Sequence, residues 1–362
     1  MKKAFTTALL LASFTAAQAQ LTTTASGTSV RARVSERVGL TDISIEYGRP
    51  AVKGREGKIW GDLVHTGFQD QGFGNGNPAP WRAGANENTI IEFGTDVTIE
   101  GRPLAAGKYG FFVAYGPDAC TLIFSKATSS WGSYFYEPGE DVLRVQVKPV
   151  KLNELRERLT YQFGDETDSS ATISLEWEKL AIPFKVSTAL QQLQIASFER
   201  ELRGEKGFDP HALQQMADYL QEHDIRLNDA LTYIERAEQS IPTFGVLSSK
   251  ADILRKLKKD AQADSVMKVA MERGTAQDVH SYARRLMATG KKQQAYEAFQ
   301  QNYKRHPDAY LTCVGMARGC SAIGKTKDAL KYANLALPKA PDAANKKIIE
   351  DIIAKLKEGK QI

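Results

Sequence analysis

The sequence predicts a two-domain α+β chain, an N-terminal antiparallel β-sandwich followed by a C-terminal all-α repeat solenoid. Three observations carry this expectation. The chain has 362 residues, more than the roughly 100–200 of a typical domain. Apolar residues alternate with a period of two from Ser29 to Val186. Beyond Val186 the period becomes helical, and a spacing of 34 residues recurs. With 42% hydrophobic and 25% charged residues, the composition is globular and supplies a buried core.

The first residues, MKKAFTTALLLASFTAAQAQ, have the three parts of an export signal. Lys2 and Lys3 precede an apolar run from Ala4 to Phe14, and small residues stand at Ala17 and Ala19. The expectation is a signal over residues 1–19, cleaved after Ala19. The apolar run is too short for a bilayer core, which needs about 20 apolar residues, and no later segment replaces it. The sequence therefore predicts an exported protein, periplasmic or secreted, with no membrane span once the signal is removed. A formal net charge of +5, part of it from the signal lysines, is too mild to argue for a nucleic-acid partner. The three cysteines, Cys120, Cys313 and Cys320, imply no disulfide framework. Cys313 and Cys320 would lie about 10 Å apart along a helix, beyond disulfide reach, and are expected to be small core residues.

Residues 30–186 form the expected β domain. SVRARV, DISIEYG, TIIEF, DVTIEG, KYGFFVAYG, CTLIFSK, WGSYFYE, DVLRVQVKP, ERLTYQFGD, SATISLEWEKL and IPFKV are short, rich in β-branched and aromatic residues, and punctuated by Gly, Pro, Asp and Ser. No long amphipathic segment intervenes, which disfavours a parallel sheet built from βαβ units and favours a sandwich. Between Gly48 and Thr89 the pattern is irregular. Its middle, FQDQGFGNGNPAP from Phe68 to Pro80, is expected to be an exposed loop. The acidic turn at Asp165, Glu166 and Asp168 lacks a calcium-loop spacing and is expected to be solvated.

Residues 188–360 form the expected helical domain, with Ser187 or Thr188 capping its first helix and Gly204 ending it. Gly290, Ala295, Phe299 and Pro307 recur 34 residues later as Gly324, Ala329, Ala333 and Pro341. Weaker copies run through Ala217, Leu220, Ala230 and Ile234, and through Ala251, Leu254, Ala263 and Met267. Four units between Asp209 and Asp342, closed by a final helix, would make a solenoid. This pattern resembles tetratricopeptide repeats, most closely at Tyr282, Ala283, Leu286, Gly290, Ala295, Phe299 and Pro307. The resemblance implies a protein partner held by the helical repeats.

The β half resembles the domain of unknown function 2911, through YGRP at Tyr47–Pro50, IWG at Ile59–Gly61, WRAGANENT at Trp81–Thr89, LAAGKYGFF at Leu104–Phe112, WGSYFY at Trp131–Tyr136, DVLRVQVKP at Asp141–Pro149 and LEWEKLAIPF at Leu175–Phe184. The resemblance implies an exported bacterial domain and no established activity. This chain departs from the usual pattern by inserting Phe68–Pro80 before the Trp-Arg motif.

Catalytic signatures are absent: the β half has one histidine, His65, expected on the surface, and no Gly-x-Ser-x-Gly elbow. No catalytic residue, metal ligand or cofactor is assigned. The residues best suited to a ligand are Trp81, Arg82, Asn86 and Glu87, with Arg49 and Trp60 from the preceding irregular segment. An aromatic plane covers the apolar face of a sugar, while guanidinium and amide groups fix its polar ones. The same residues also suit a purely structural loop, with Arg82 pairing Glu87 across the turn, Asn86 bonding its own backbone and Trp81 plugging the end of the sandwich. Trp131, Tyr134, Tyr136 and Trp177 are expected in strands, largely as core. The expected function is an exported envelope protein, non-enzymatic, whose β domain recognises a glycan-like or envelope ligand and whose repeats dock a protein. The alternative is a cell-envelope hydrolase using Glu87 or another carboxylate with Arg82 in the loop site.

Overall fold

Alternation in the β half produces ten strands among the described residues, 29–362 of a computed structural model. The expected signal, residues 1–19, lies outside them. The strands are β1 (Val30–Val38), β2 (Thr41–Arg49), β3 (Thr89–Phe93), β4 (Val97–Ile99), β5 (Arg102–Leu104), β6 (Gly107–Ala114), β7 (Cys120–Ser125), β8 (Asp141–Val147), β9 (Val150–Thr167) and β10 (Ser170–Thr188). They form one sheet in the order β1-β2-β3-β6-β7-β8 and another in the order β5-β4-β10-β9, with every pairing antiparallel. In β2 the inward residues Ile43, Ile45 and Tyr47 are buried while Asp42, Ser44 and Glu46 turn outward, the period-two pattern of a sheet packed on one face. Facing them are Leu159 and Tyr161 of β9 and Ile173, Leu175, Phe184 and Val186 of β10, in one shared core. Phe111 lies 5.6 Å from Phe184 and 6.3 Å from Tyr161, ring to ring. This is a β-sandwich.

Two segments expected to be separate strands, SATISLEWEKL and IPFKV, are one strand, β10. Proline is tolerated inside it because Pro183 falls where neither neighbour is paired: the register with β9 ends at Ala181 and that with β4 begins at Val186. Thr188 therefore ends a strand, where its hydroxyl donates to the Ser169 carbonyl at 3.3 Å, and neither it nor Ser187 caps the next helix as expected.

Two further expectations change where the chain crosses the outer face of β6 and β7. WGSYFY is a turn and not a strand; Trp131 and Phe135 are exposed, whereas Tyr136 is buried. Phe68–Pro80 is exposed along most of its length, as expected, but it ends buried at Ala79 and Pro80. Its base is stitched by Gln69 and Ala79, which exchange backbone hydrogen bonds at 3.0 and 2.9 Å. Ala79 and Tyr136 form a small second core with Phe112, Ala114 and Ile123, the outward residues of the central strands.

The chain divides into two compact units between Gln194 and Ile195. The helices are α1 (Leu190–Glu201), α2 (Pro210–Glu222), α3 (Leu227–Ser240), α4 (Phe244–Lys256), α5 (Asp260–Arg273), α6 (Ala276–Ala288), α7 (Lys292–Arg305), α8 (Tyr310–Ala322), α9 (Thr326–Ala336) and α10 (Ala343–Lys357). From α2 to α9 they form four pairs, and α10 closes the array. Ala217, Ala251, Ala283 and Ala317 in the first helices are fully buried, as are Ala230, Ala263, Ala295 and Ala329 in the second. Small side chains at these points let the helix axes approach to about 8–10 Å. The tetratricopeptide spacing is thus a packing spacing. Asp209, Thr243, Thr275 and Asp342 cap α2, α4, α6 and α10. All three cysteines are buried and unpaired.

His280 of α6 is 5% exposed, and its burial, with Arg318 and Arg284 nearby, lowers its pKa to about 4. The unfolded imidazole titrates near 6.5, so the unfolded chain takes up the proton more readily between these values. The stability contributed by neutral His280 is complete above pH 6.5 and is lost as pH falls to about 4, on the order of 3 kcal/mol. Urea unfolding of the helices, followed by circular dichroism, should show this slope. In His280→Leu the slope should flatten; an unchanged slope would contradict the assignment.

Candidate functional site

The Trp-Arg motif begins where Trp81 exchanges backbone hydrogen bonds with Val113 of β6, at 3.0 and 2.8 Å. Beyond it, Ala83 and Asn86 both take left-handed backbone, at φ of 52° and 67°, and the chain folds tightly back toward β3. Gly48 makes this turn possible, since a Cβ there would stand 2.1 Å from the Ala85 carbonyl oxygen. The turn is anchored from below: the Ala83 carbonyl accepts hydrogen bonds from Tyr161 Oη at 2.8 Å and Thr89 Oγ1 at 3.1 Å. Burial raises the Tyr161 pKa, so its hydroxyl stays a donor.

Beside this turn lies a cavity of about 310 Å³, bounded by Trp81, Trp177, Leu63 and Pro50 and by the polar groups of Arg55, His65, Gln71, Arg82, Asn86, Ser133 and Ser29. Trp81 and Trp177 are nearly parallel, 18° apart in plane with centroids 6.2 Å apart. Trp60 meets both edge to face, at 5.6 and 6.2 Å. Arg82 donates from Nη1 to the Asn86 carbonyl at 2.8 Å, and its guanidinium lies over the Tyr134 ring at 5.1 Å. Gly132 seats that guanidinium, because a Cβ there would come within 2.4 Å of Cζ. Arg55 spends Nε and Nη2 on the Val52 and Ala51 carbonyls, at 3.0 and 2.7 Å.

The lining contains two guanidinium groups and no carboxylate. Burial lowers the pKa of His65, which keeps its imidazole neutral near pH 7. His65 Nδ1 and Trp177 Nε1 are buried without a partner among the described residues. Such atoms cost about 1–3 kcal/mol each when unmatched. Chemically the cavity is rich in hydrogen-bond donors and flanked by aromatic surface.

Of the residues singled out from sequence, Trp81, Arg82 and Asn86 line the cavity. Trp60 lies behind it, within the aromatic cluster, and donates to the Trp177 carbonyl at 3.3 Å. Arg49 is elsewhere: it ties β2 to β9 through the Leu159 carbonyl and Thr160 Oγ1, at 3.0 and 2.9 Å. Glu87 is also outside the lining, and the expected Arg82–Glu87 pair does not form. The left-handed Asn86 brings its own carbonyl to Arg82 and turns Glu87 toward Arg31, 3.6 Å away. Glu87, the carboxylate named for the hydrolase alternative, therefore stands outside the cavity lining. Sequence reasoning misses Gln71 and Ser133, places His65 on the surface and treats Trp177 as core alone. Trp177 is core and cavity wall at once. Nothing in the sequence points to Gln71 or Ser133. Among the described residues, no group of three or more His, Cys, Asp or Glu side chains is placed to hold a metal.

Two substitutions test the turn by urea unfolding. Gly48→Ala should destabilise the β unit by about 1–3 kcal/mol, because the clash is with backbone. Tyr161→Phe should cost about 1 kcal/mol, since it removes a buried hydrogen bond whose acceptor keeps a second donor. A neutral Gly48→Ala would show that the turn has room to move.

Residues 29–186 match the family described as "Protein of unknown function (DUF2911)". No curated protein matches the chain. Among solved structures the chain is similar to MamA, with 14% identity over 41% of this chain and 88% of that one and a TM-score of 0.29. It is similar to TTC0263, a thermophilic TPR protein of Thermus thermophilus, with 19% identity over 46% and 91% and a TM-score of 0.29. A third likeness is to YrrB, "a TPR protein with an unusual peptide-binding site", with 13% identity over 44% and 87% and a TM-score of 0.26. At these values the likeness adds nothing to what the four helix pairs and their spacing establish. The β-sandwich is thus the part of the chain that matches the DUF2911 family model, over residues 29–186, and tetratricopeptide-like repeats follow it.

Proposed function

We propose that this is an exported envelope binding protein, in which the β-sandwich holds a small glycan-like ligand and the helical repeats dock a protein partner. The observation that carries the first part is the cavity lined by Trp81 and Trp177, rich in donors and free of carboxylates. Its aromatic walls suit the apolar face of a sugar ring, and Arg55, Arg82, Asn86 and Gln71 suit hydroxyl and carboxylate oxygens. An acidic or heavily hydroxylated saccharide fits this chemistry better than a cationic one. Support for the second part is the repeat architecture itself, which presents a long surface built from successive equivalent helices. Export is supported by the three-part pattern of residues 1–19.

A thermal-shift screen of the full chain against uronic-acid oligosaccharides, neutral oligosaccharides and peptidoglycan fragments tests the cavity. A ligand at about 100 times its Kd should stabilise the protein by about 2.7 kcal/mol. The shift should disappear in Arg82→Ala, and if no saccharide shifts the wild type the glycan assignment fails. Capture from envelope extract should retain a partner with the full chain and lose it with a chain ending at Thr188; equal capture by both would count against docking by the repeats. N-terminal sequencing of the protein from envelope or culture fractions should begin at Gln20, and a chain retained in the cytoplasm with Met1 intact would refute export.

A further inference from the structure

Two large aromatic rings stand in solvent near the cavity of the β-sandwich: Phe73 is 73% exposed and Trp131 is 56% exposed. Both sit on braced backbone. Phe73 lies between Gly72, whose N–H donates to Asp70 Oδ1 at 2.8 Å, and Gly74, where a Cβ would collide with the Tyr134 carbonyl. Asn75 donates its backbone N–H to that same carbonyl at 3.2 Å, and the Phe73 ring meets the Tyr134 ring edge to face at 5.9 Å. Trp131 immediately precedes Gly132, against which the Arg82 guanidinium is seated. Exposed rings held on fixed backbone contribute little to folding and lose little entropy when a ligand covers them, which is the character of a binding surface.

This surface adjoins the cavity. The guanidinium of Arg82, a lining residue, lies over the Tyr134 ring at 5.1 Å, and Tyr134 in turn carries Phe73. The two segments that bear the rings also supply Gln71 and Ser133 to the lining. At about 310 Å³ the cavity is at the small end of ligand pockets, which run from about 300 to 1,000 Å³, so a longer ligand must continue outside it. The composition of the two segments selects the occupant. Neither Phe68–Pro80 nor Trp131–Tyr136 contains Val, Leu, Ile or Met, so the rings lack the aliphatic packing of an apolar protein interface. Neither contains Lys or Arg, while Asp70 and Glu137 stand in or next to them, which disfavours an anionic bilayer surface. Polar Gln69 and Gln71 precede Phe73 instead. Rings that cover C–H faces, beside amides that bond hydroxyls, are the complement of a neutral sugar unit.

We infer that Phe73, Tyr134 and Trp131 form an external platform for the sugar units that follow the one held in the cavity. The ligand is then a polysaccharide chain, with an acidic unit between the Arg55 and Arg82 guanidiniums and neutral units on the rings. This inference rests on the reading of the cavity as a saccharide site, and it adds the length and the charge pattern of what that site takes.

The test is isothermal titration calorimetry of the full chain with oligosaccharides in which glucuronic acid alternates with N-acetylglucosamine. They are offered as the disaccharide and as the octasaccharide, compared per disaccharide unit. The octasaccharide should bind about tenfold or more tightly than the disaccharide. Phe73→Ala and Trp131→Ala should each remove most of that gain and leave the disaccharide affinity unchanged. Because both rings are exposed, the thermal midpoint should stay where it is, which separates lost contact from lost folding. Trp131 is the exposed one of the four tryptophans, so the octasaccharide should shield it from acrylamide quenching and the disaccharide should not. Equal affinity for the two lengths, or a gain that survives both substitutions, overturns the platform while the saccharide reading of the cavity stands. If neither length binds, both fall. Substitutions that abolish sedimentation with phosphatidylglycerol vesicles and spare octasaccharide binding assign the rings to a membrane and overturn the platform as well.

Discussion

Phe111 and Phe112 are neighbours in β6, point to opposite faces of the sheet, and are both 1% exposed. Leu122 and Ile123 repeat this in β7, both fully buried. A sandwich covers only one face of each sheet, so the second face of these central strands needs its own cover. Phe68–Pro80 and Ser133–Tyr136 supply it. Phe112 and Tyr136 meet at 5.6 Å, and Phe68 packs on Tyr136 at 6.1 Å. Tyr136 is fixed in turn by donating to Asp141 at 2.5 Å, where Arg144 also donates at 2.7 Å. Asn75 and Asn77 then bind the two covering segments together through the Tyr136 carbonyl. The candidate site depends on this arrangement, because the same two segments present Gln71 and Ser133 to the cavity and place Tyr134 under Arg82.

This dependence explains which parts of the molecule are legible in the sequence. A strand buried on one face writes its structure directly as alternation, and β2, β3 and β8 follow it residue by residue. WGSYFY also alternates, but its aromatic residues serve a cover that packs against the sheet from outside. Period alone does not separate these cases, and in WGSYFY only Tyr136 of the aromatic residues is buried, while Trp131 and Phe135 are exposed. The inserted segment is polar and mostly exposed as its composition says, yet Asn75 and Asn77 tie it to the Tyr136 carbonyl. The repeats are legible for the opposite reason. Their buried alanines are local and periodic, so spacing and contact coincide.

The site is legible by half. Trp81 and Arg82 announce themselves by type, and their motif lies where the chain must turn. Glu87 is misplaced by sequence reasoning because nearness along the chain stands in for nearness of side chains. Two left-handed residues between Arg82 and Glu87 reverse that geometry and substitute a backbone carbonyl for the carboxylate. The consequence is electrostatic: a cavity expected to hold Arg82, Arg49 and Glu87 holds the guanidinium groups of Arg82 and Arg55 and no acid. Arg49 shows the converse case, a charged residue beside the motif whose donors are committed to a neighbouring strand.

The cover over β6 and β7 performs two tasks with one piece of chain, and this constrains how the protein can diversify. Gly72, Gly74 and Gly76 all take positive φ at its tip, where Gly74 lies directly against the Tyr134 carbonyl. Substitutions near that tip can alter what the cavity admits without disturbing either sheet of the sandwich. Deleting the segment is a different matter, since Phe112 and Ile123 would then face water on a broad flat surface prone to self-association. Change in the inserted segment is therefore channelled into point substitutions, and its length is tied to the sheet beneath it.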